Sequence, residues 1–284
     1  MELYPRTFTE EHLTPEVFSA RRESEHLHYS IVRCANCGLV FSREILPDDR
    51  LSELYAGSSV TFGEHMAALR TDYWRCLQPF LAGAHRGSAL EIGCSSGFFL
   101  EELMAQGFTE VHGCEPSTKA GEMAVADVRK NIRSGLFGEA MYEPRKFDLV
   151  CSFHTFDHMS DPAEVVSACH EVLKPGGLVY VITHDVRSLQ AIILGEKSPI
   201  IDVEHVYLFN KQTLRKLFER TGFDVLSVSG VRNTYPLDYW LHMMPLPHRV
   251  KGTLRGSLNR IGAGAITVPI KAGNIFIVAR RKSQ

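Results

Sequence analysis

The chain has 284 residues, 44% of them hydrophobic, with 31 Lys and Arg against 33 Asp and Glu for a formal net charge of −2. That is enough apolar material for one large α/β domain with a small appendage, while a charge so near zero excludes a global field that would attract a polyanion such as RNA or DNA. No run of about eighteen apolar residues could serve as a signal or membrane span, and seven cysteines without a disulfide framework suit reduced thiols, so a cytoplasmic protein is expected.

Residues 1–60 show no alternation of strand and helix and are read as an accessory segment, with a hairpin of His28 to Arg33 and Gly38 to Ser42 around Cys34-Ala35-Asn36-Cys37. C-x-x-C followed by glycine is the turn of a zinc knuckle, in which two thiolates take two corners of a tetrahedron. No cysteine precedes Cys34, so only His12, His26 and His28 could complete a site locally. A knuckle remnant, its cysteines serving as small hydrophobes, is the preferred reading. After Gly63-Glu64-His65, apolar Met66, Leu69, Tyr73, Leu77 and Phe80 at three- and four-residue steps predict a helix through Leu81 that covers the sheet and the cleft.

The main domain, residues 61–284, then alternates. Strands are predicted at 88–93, 110–115, 131–134, 147–153, 178–183, 224–230 and 273–280, and helices at 97–106, 117–128, 161–173 and 210–221. This rhythm gives a parallel sheet. Between the first strand and its helix runs Glu91-Ile92-Gly93-Cys94-Ser95-Ser96-Gly97. Glycine at 93 and 97 lets the backbone turn sharply and lets a ligand lie against main-chain atoms at a helix N-terminus. Glu115 closes the next strand, where its carboxylate can accept both hydroxyls of a ribose. A purely structural glycine turn remains the alternative.

On these residues the chain resembles the class I S-adenosylmethionine (SAM) dependent methyltransferases, in which an acid two positions before the first glycine opens the loop, as Glu91 does. The resemblance continues through Phe147-Asp148-Leu149-Val150, Asp161-Pro162 and Leu173-Lys174-Pro175-Gly176-Gly177-Leu178, and covers roughly residues 70–230. Ser95 departs from it, standing where many relatives carry a middle glycine. The resemblance implies a Rossmann-like α/β fold, a seven-stranded sheet of order 3-2-1-4-5-7-6 with strand 7 antiparallel and helices on both faces. It implies SAM as cofactor, held by Glu91, Gly93, Cys94, Gly97 and Phe98, with the ribose on Glu115, the adenine between Pro116 and the Gly135-Leu136 loop, and Phe153 and His154 closing the sulfonium side.

Two insertions, 184–209 and 231–272, exceed plain connections, and such lengths are usually functional. The second mixes Tyr235, Tyr239, Trp240, Met243 and Met244 with Pro245, Pro247 and basic residues, and reads as a helical lid or homodimer contact before a membrane contact. For the chemistry, His205 in Val203-Glu204-His205-Val206 ranks first as base or acceptor-positioning group, and His184 after the fifth strand ranks second. Either has the alternative of bonding main chain. His154, Asp157 and His158 would share one face of a short helix, and this stretch aligns with the Glu-x-x-Glu-His stretch of quinone-biosynthesis O-methyltransferases, where a divalent cation can sit, although His154 and Asp157 replace the acids. His158 packed at the cleft floor is the favoured reading, and no metal ligand is assigned. The expected function is methyl transfer to oxygen or nitrogen of a small molecule, with a sugar or secondary metabolite in view and no nucleic-acid partner. The alternatives are an RNA methyltransferase and a non-catalytic nucleotide-binding protein.

Overall fold

A computed structural model describes residues 1–19, 26–58, 66–138, 140–244 and 246–282. The chain opens with β1 (Glu2–Tyr4), a hairpin of β2 (Ser30–Arg33) and β3 (Val40–Arg43), and helices α1 (Asp48–Gly57) and α2 (Met66–Leu77). Alternation begins at β4 (Ser88–Ile92) and runs through α3 (Phe98–Ala105), β5 (Glu110–Glu115), α4 (Thr118–Glu122), α5 (Ala126–Arg129), β6 (Ile132–Ser134), β7 (Phe147–Phe153), α6 (Pro162–Val172) and β8 (Leu173–His184). There follow α7 (Leu189–Leu194), β9 (Tyr207–Leu208), α8 (Lys211–Arg220), β10 (Phe223–Gly230), β11 (Asn233–Pro236), α9 (Leu237–Met243), α10 (His248–Arg260), β12 (Thr267–Ile270) and β13 (Asn274–Arg281).

The main sheet has the order β10-β13-β8-β7-β4-β5-β6. Counting from β4 as the first strand, this is the expected 3-2-1-4-5-7-6, and β13 is antiparallel to both of its neighbours. All five residues of β4 are buried, as a central parallel strand covered on both faces requires. One face carries Tyr73 and Leu77 of α2 and Phe99 and Leu103 of α3 against Phe153 and Tyr180. The other carries Val166 and Cys169 of α6 and Leu214 and Phe218 of α8 against Ile92, Val150 and Val181. Each fully buried side chain of this size contributes about 1.5–3 kcal/mol. Asp161 starts α6 by accepting from the N–H groups of Ala163 and Glu164 at 2.9 and 3.0 Å, with Pro162 in the first turn, where a missing N–H costs nothing.

Local departures from the sequence reading have local causes. The helix expected over 117–128 is two short ones, because Val125 is extended at φ −60, ψ 150 and caps α5 afresh. Pro79 lies in a 3-10 turn, Gln78–Leu81, that follows α2 in place of a continuous helix. β8 absorbs the Pro175-Gly176-Gly177 turn, with an irregular register against β7 between Phe147 and Leu149. The predicted helix start at Gly63-Glu64-His65, and Pro245, lie outside the described residues. No helix among the described residues is long and apolar enough to cross a membrane.

Both insertions are folded structure. β9, within the first, pairs antiparallel with β3 and completes a four-stranded sheet β1-β2-β3-β9. The amino-terminal segment is thereby tied to the end of the 184–209 insertion. In the second, β11 and β12 form a two-stranded sheet, and Asp72 of α2 accepts from the N–H and hydroxyl of Thr234 at 2.6 and 3.0 Å. Arg255 bonds Asp238 in two places, joining α10 to α9. Cys94, Cys114, Cys151 and Cys169 are buried core residues, and burial pushes the Cys114 thiol up to about 12.

Candidate active site

The turn from β4 into α3 has positive φ at Gly93 (69°), Ser95 (49°) and Gly97 (72°). A Cβ added at Gly93 would collide with the Thr155 side chain, and one at Gly97 would lie 2.6 Å from Val128 Cγ1. The glycines are therefore required by shape as well as by φ. Cys94 is fully buried and its sulfur fills the space beside Gly113, so its main chain, and not its thiol, is what it can offer a ligand. Phe98 opens α3 half-buried beside Tyr73, ring centroids 6.4 Å apart.

Glu115 ends β5 with each carboxylate oxygen accepting one main-chain N–H at 2.8 Å, from Ser95 and from Ser117. Burial raises its pKa and these two bonds restrain the rise. Pro116 is half-buried next to it, and Leu136 is exposed on the loop after β6. Glu91 is 1% exposed, and its Oε2 has no hydrogen-bond partner. Burial, then repulsion from Glu115, lifts its carboxyl well above the usual range against the opposing Leu100 main-chain hydrogen bond. An orphaned carboxylate oxygen beneath a turn that admits no side chain fits a ligand carrying a donor or cationic group, as the amino acid end of SAM does.

The folded chain holds the Glu91 proton more tightly than the unfolded chain does, so stability falls as pH rises from about 4.5 toward the raised folded value. Glu91→Gln is expected to remove this slope. At neutral pH the variant should melt higher, by roughly 2–4 °C for each ~1 kcal/mol gained, with the gain vanishing near pH 4.5. A calorimetric pH series checks this; a variant less stable than wild type at neutral pH would show that the ionised carboxylate is supported.

At the carboxyl ends of β7 and β8 four histidines surround one aspartate. Asp157, 1% exposed, sits with Oδ2 2.5 Å from His184 Nδ1. Its Oδ1 has no hydrogen-bond partner and lies 4.0 Å from His158 Nε2, which also has none. The His184 ring meets those of His154 and His205 at 4.7 and 4.6 Å, and His205 meets His158 at 5.0 Å. His205 Nδ1 donates to the Ile200 carbonyl at 3.1 Å, and His158 Nδ1 is 3.2 Å from the Tyr55 hydroxyl. His154 holds the strained value φ 51°, with Nε2 3.1 Å from the Tyr73 hydroxyl. A non-glycine residue in that region costs about 1–3 kcal/mol and marks functional sites.

Burial works against the Asp157 charge, but His184, by charge and by hydrogen bond, holds the carboxyl well below the ordinary range. Burial and the neighbouring His184 push His205 well below the usual imidazole value, and burial lowers His158 against the pull of Asp157. His158 and His205 are therefore neutral near pH 7.

The profile of the "Methyltransferase domain" family matches residues 64–228, more than half of the chain, from the Glu91–Gly97 turn to the histidine cluster. The chain belongs to this methyltransferase family. The cofactor of the family's class I fold, and of this chain, is SAM. Among relatives, a "Ubiquinone biosynthesis O-methyltransferase" of Leptothrix cholodnii is 29% identical over 168 residues, 54% of this chain and 71% of that protein. One of the same name from Pseudomonas aeruginosa is 37% identical over 112 residues, 36% of this chain, and the match spans only 46% of that relative's length. In fold, a SAM-dependent methyltransferase from Archaeoglobus fulgidus superposes with a TM-score of 0.52 at 18% identity, covering 83% of this chain and 100% of that one.

For a methyltransferase the site residues named from sequence fall into two groups. Gly93, Gly97 and Pro116 lie on the turns after β4 and β5, Glu91 and Glu115 stand near the carboxyl ends of those strands, Phe98 opens α3 and His154 follows β7, whereas Phe153 turns its ring into the core between Tyr73, Phe99 and Tyr180. His184 and His205 are brought into contact. Asp157 as the partner of His184, and Tyr55 and Tyr73 as partners of the flanking imidazoles, were not singled out as members of the site. Tyr55 carried no signal, since α1 meets the cluster only through tertiary packing. Cys34 and Cys37 join no third ligand among the described residues; the one His/Cys/Asp/Glu group of metal-binding dimensions there is Asp157, His158 and His205.

Proposed function

We propose that the protein transfers the methyl group of SAM to an oxygen of a small-molecule acceptor, with His184 as general base. The observation that carries this reading is the 2.5 Å contact between His184 Nδ1 and the buried Asp157 carboxylate at the carboxyl end of β8. A carboxylate can only accept, so Nδ1 carries the proton and Nε2 presents its lone pair. His205 has its Nδ1 hydrogen-bonded to the Ile200 main-chain carbonyl and not to a carboxylate, which puts it behind His184 as the base. The names of the similar ubiquinone-biosynthesis enzymes favour oxygen over nitrogen as the acceptor atom.

When bound, SAM supplies a methyl carbon made electrophilic by its sulfonium. Glu91, Glu115 and the main chain of Gly93 to Gly97 would hold it. The protein's part is then orientation, worth roughly 7–11 kcal/mol, and removal of the acceptor proton to His184 Nε2, with Asp157 stabilising the imidazolium that forms. Incubation with methyl-labelled SAM and a panel of small hydroxylated and aminated compounds, with products read by NMR, tests the reading. Labelled O-methyl ethers or esters are expected; labelled N-methyl products alone would overturn it.

A further inference from the structure

We propose that Cys34 and Cys37 form a dithiol site that exchanges with small disulfides of the glutathione class and closes to a disulfide across the β2–β3 turn. Of the seven cysteines, Cys94, Cys114, Cys151 and Cys169 are buried in the core, and the thiol of half-buried Cys76 is pushed up by burial. Cys37 is exposed and Cys34 half-buried at the turn of the hairpin, so neither is the small core hydrophobe expected of a knuckle remnant. A thiol needs access and thiolate character to react with another sulfur, and this pair has the access.

The turn supplies the second requirement. Cys34 N–H donates to the Leu39 carbonyl at 2.8 Å, Gly38 N–H donates to the Cys34 carbonyl at 3.0 Å, and Gly38 takes φ 77°. The backbone is thereby folded back over the Cys34 side chain. Its sulfur accepts from the main-chain N–H groups of Cys37 and Asn36, from the Cys37 side chain and from the Gly38 N–H, and these donors hold the thiol below its usual value against slight desolvation. Cysteines in other C-x-x-C turns are lowered likewise. Residues three apart in a turn have Cα atoms within about 7 Å, a span that a disulfide bridges, and here the two side chains are already in hydrogen-bond contact.

The exchange runs in two displacements. The Cys34 thiolate attacks one sulfur of the small disulfide: a mixed S–S bond forms on Cys34, the incoming S–S bond breaks, and one small thiolate leaves and takes up a proton. Cys37, deprotonated in its turn, attacks the Cys34 sulfur, breaks the mixed disulfide and releases the second small thiolate, which takes the other proton. The protein dithiol is oxidised by two electrons and the small disulfide is reduced to two thiols. In a reducing compartment such a pair is transient and responds to the redox state. No group of the cleft takes part, so the exchange is measured independently of methyl transfer.

The test uses the full chain, reduced, treated with chelator and incubated with oxidised glutathione at neutral pH, with acid quenching and mass analysis of the tryptic peptide 34–43, which Arg33 and Arg43 delimit. Loss of two hydrogens across Cys34 and Cys37, restored by dithiothreitol, is expected. Cys37→Ser should stop at a glutathione adduct on Cys34. Cys34→Ser should react several-fold more slowly, because the larger thiolate population of a more acidic thiol outweighs its lower intrinsic nucleophilicity. Far-UV circular dichroism confirms folding, and should a serine variant not fold, limiting iodoacetamide on the reduced wild type carries the comparison, with Cys34 labelled several-fold faster than Cys37 or Cys76. Folded wild type that stays reduced or holds only separate glutathione adducts overturns the site, as does Cys34→Ser reacting at the wild-type rate or Cys37 labelled ahead of Cys34.

Discussion

A His184→Ala enzyme is expected to lose roughly 100- to 10,000-fold in kcat, the ordinary worth of a positioned base, while binding SAM as the wild type does. Its imidazole is the one whose Nδ1 meets a buried carboxylate, at 2.5 Å, so the loss falls on proton removal and not on the cofactor loop. Asp157→Asn keeps the shape but removes the charge that stabilises the imidazolium, and should fall between wild type and His184→Ala. A split between kcat and KM distinguishes the base from a packing role: kcat should fall while the KM for SAM stays close to that of the wild type. Wild-type kcat in a folded His184→Ala enzyme would move the chemistry to another group.

The second large effect is at Gly93. Its φ of 69° and the collision that any Cβ meets at Thr155 leave no room for a side chain, and Gly93→Arg is expected to bind no SAM at millimolar concentration. Gly93→Ala is the milder partner. The left-handed conformation costs about 1–2 kcal/mol of stability for a residue with a Cβ, and the clash with Thr155 shifts the turn and weakens SAM binding. Both are read by titration of protein whose circular dichroism matches wild type. SAM affinity unchanged in folded Gly93→Arg would place the cofactor elsewhere.

The shape of the candidate cofactor turn was legible in sequence because it is local: small residues at 93, 95 and 97 between an apolar strand and an apolar helix, and an acid closing the next strand. The strand order followed once that rhythm was recognised. Element ends were less legible where backbone detail overrode pattern, as at Val125, where an extended residue splits a helix, and at Gly176, where β8 continues through an apparent turn. The acceptor half was legible only in part. His184 and His205 were named, but Asp157 is paired with His184 only because β8 ends beside the turn after β7, and His205 reaches the cluster through a segment anchored by β9 on the amino-terminal sheet. Tyr55, from α1, comes from further still. No periodicity within any one stretch encodes such meetings.

The zinc-knuckle reading of Cys34 and Cys37 illustrates the same limit from the other side. The hairpin is there, closed by Cys34 N–H on the Leu39 carbonyl at 2.8 Å, but His12 is turned onto Thr9 and His28 onto Tyr29 and Glu196. A motif can keep its turn without its ligands.

The central claim is that the loop from Glu91 to Gly97, with Glu115, holds SAM. Isothermal titration of the wild-type chain with SAM tests it most directly: one saturable site per chain, lost in Gly93→Arg, is the result predicted. Folded wild-type protein that gives no binding heat and no thermal shift with millimolar SAM would contradict it.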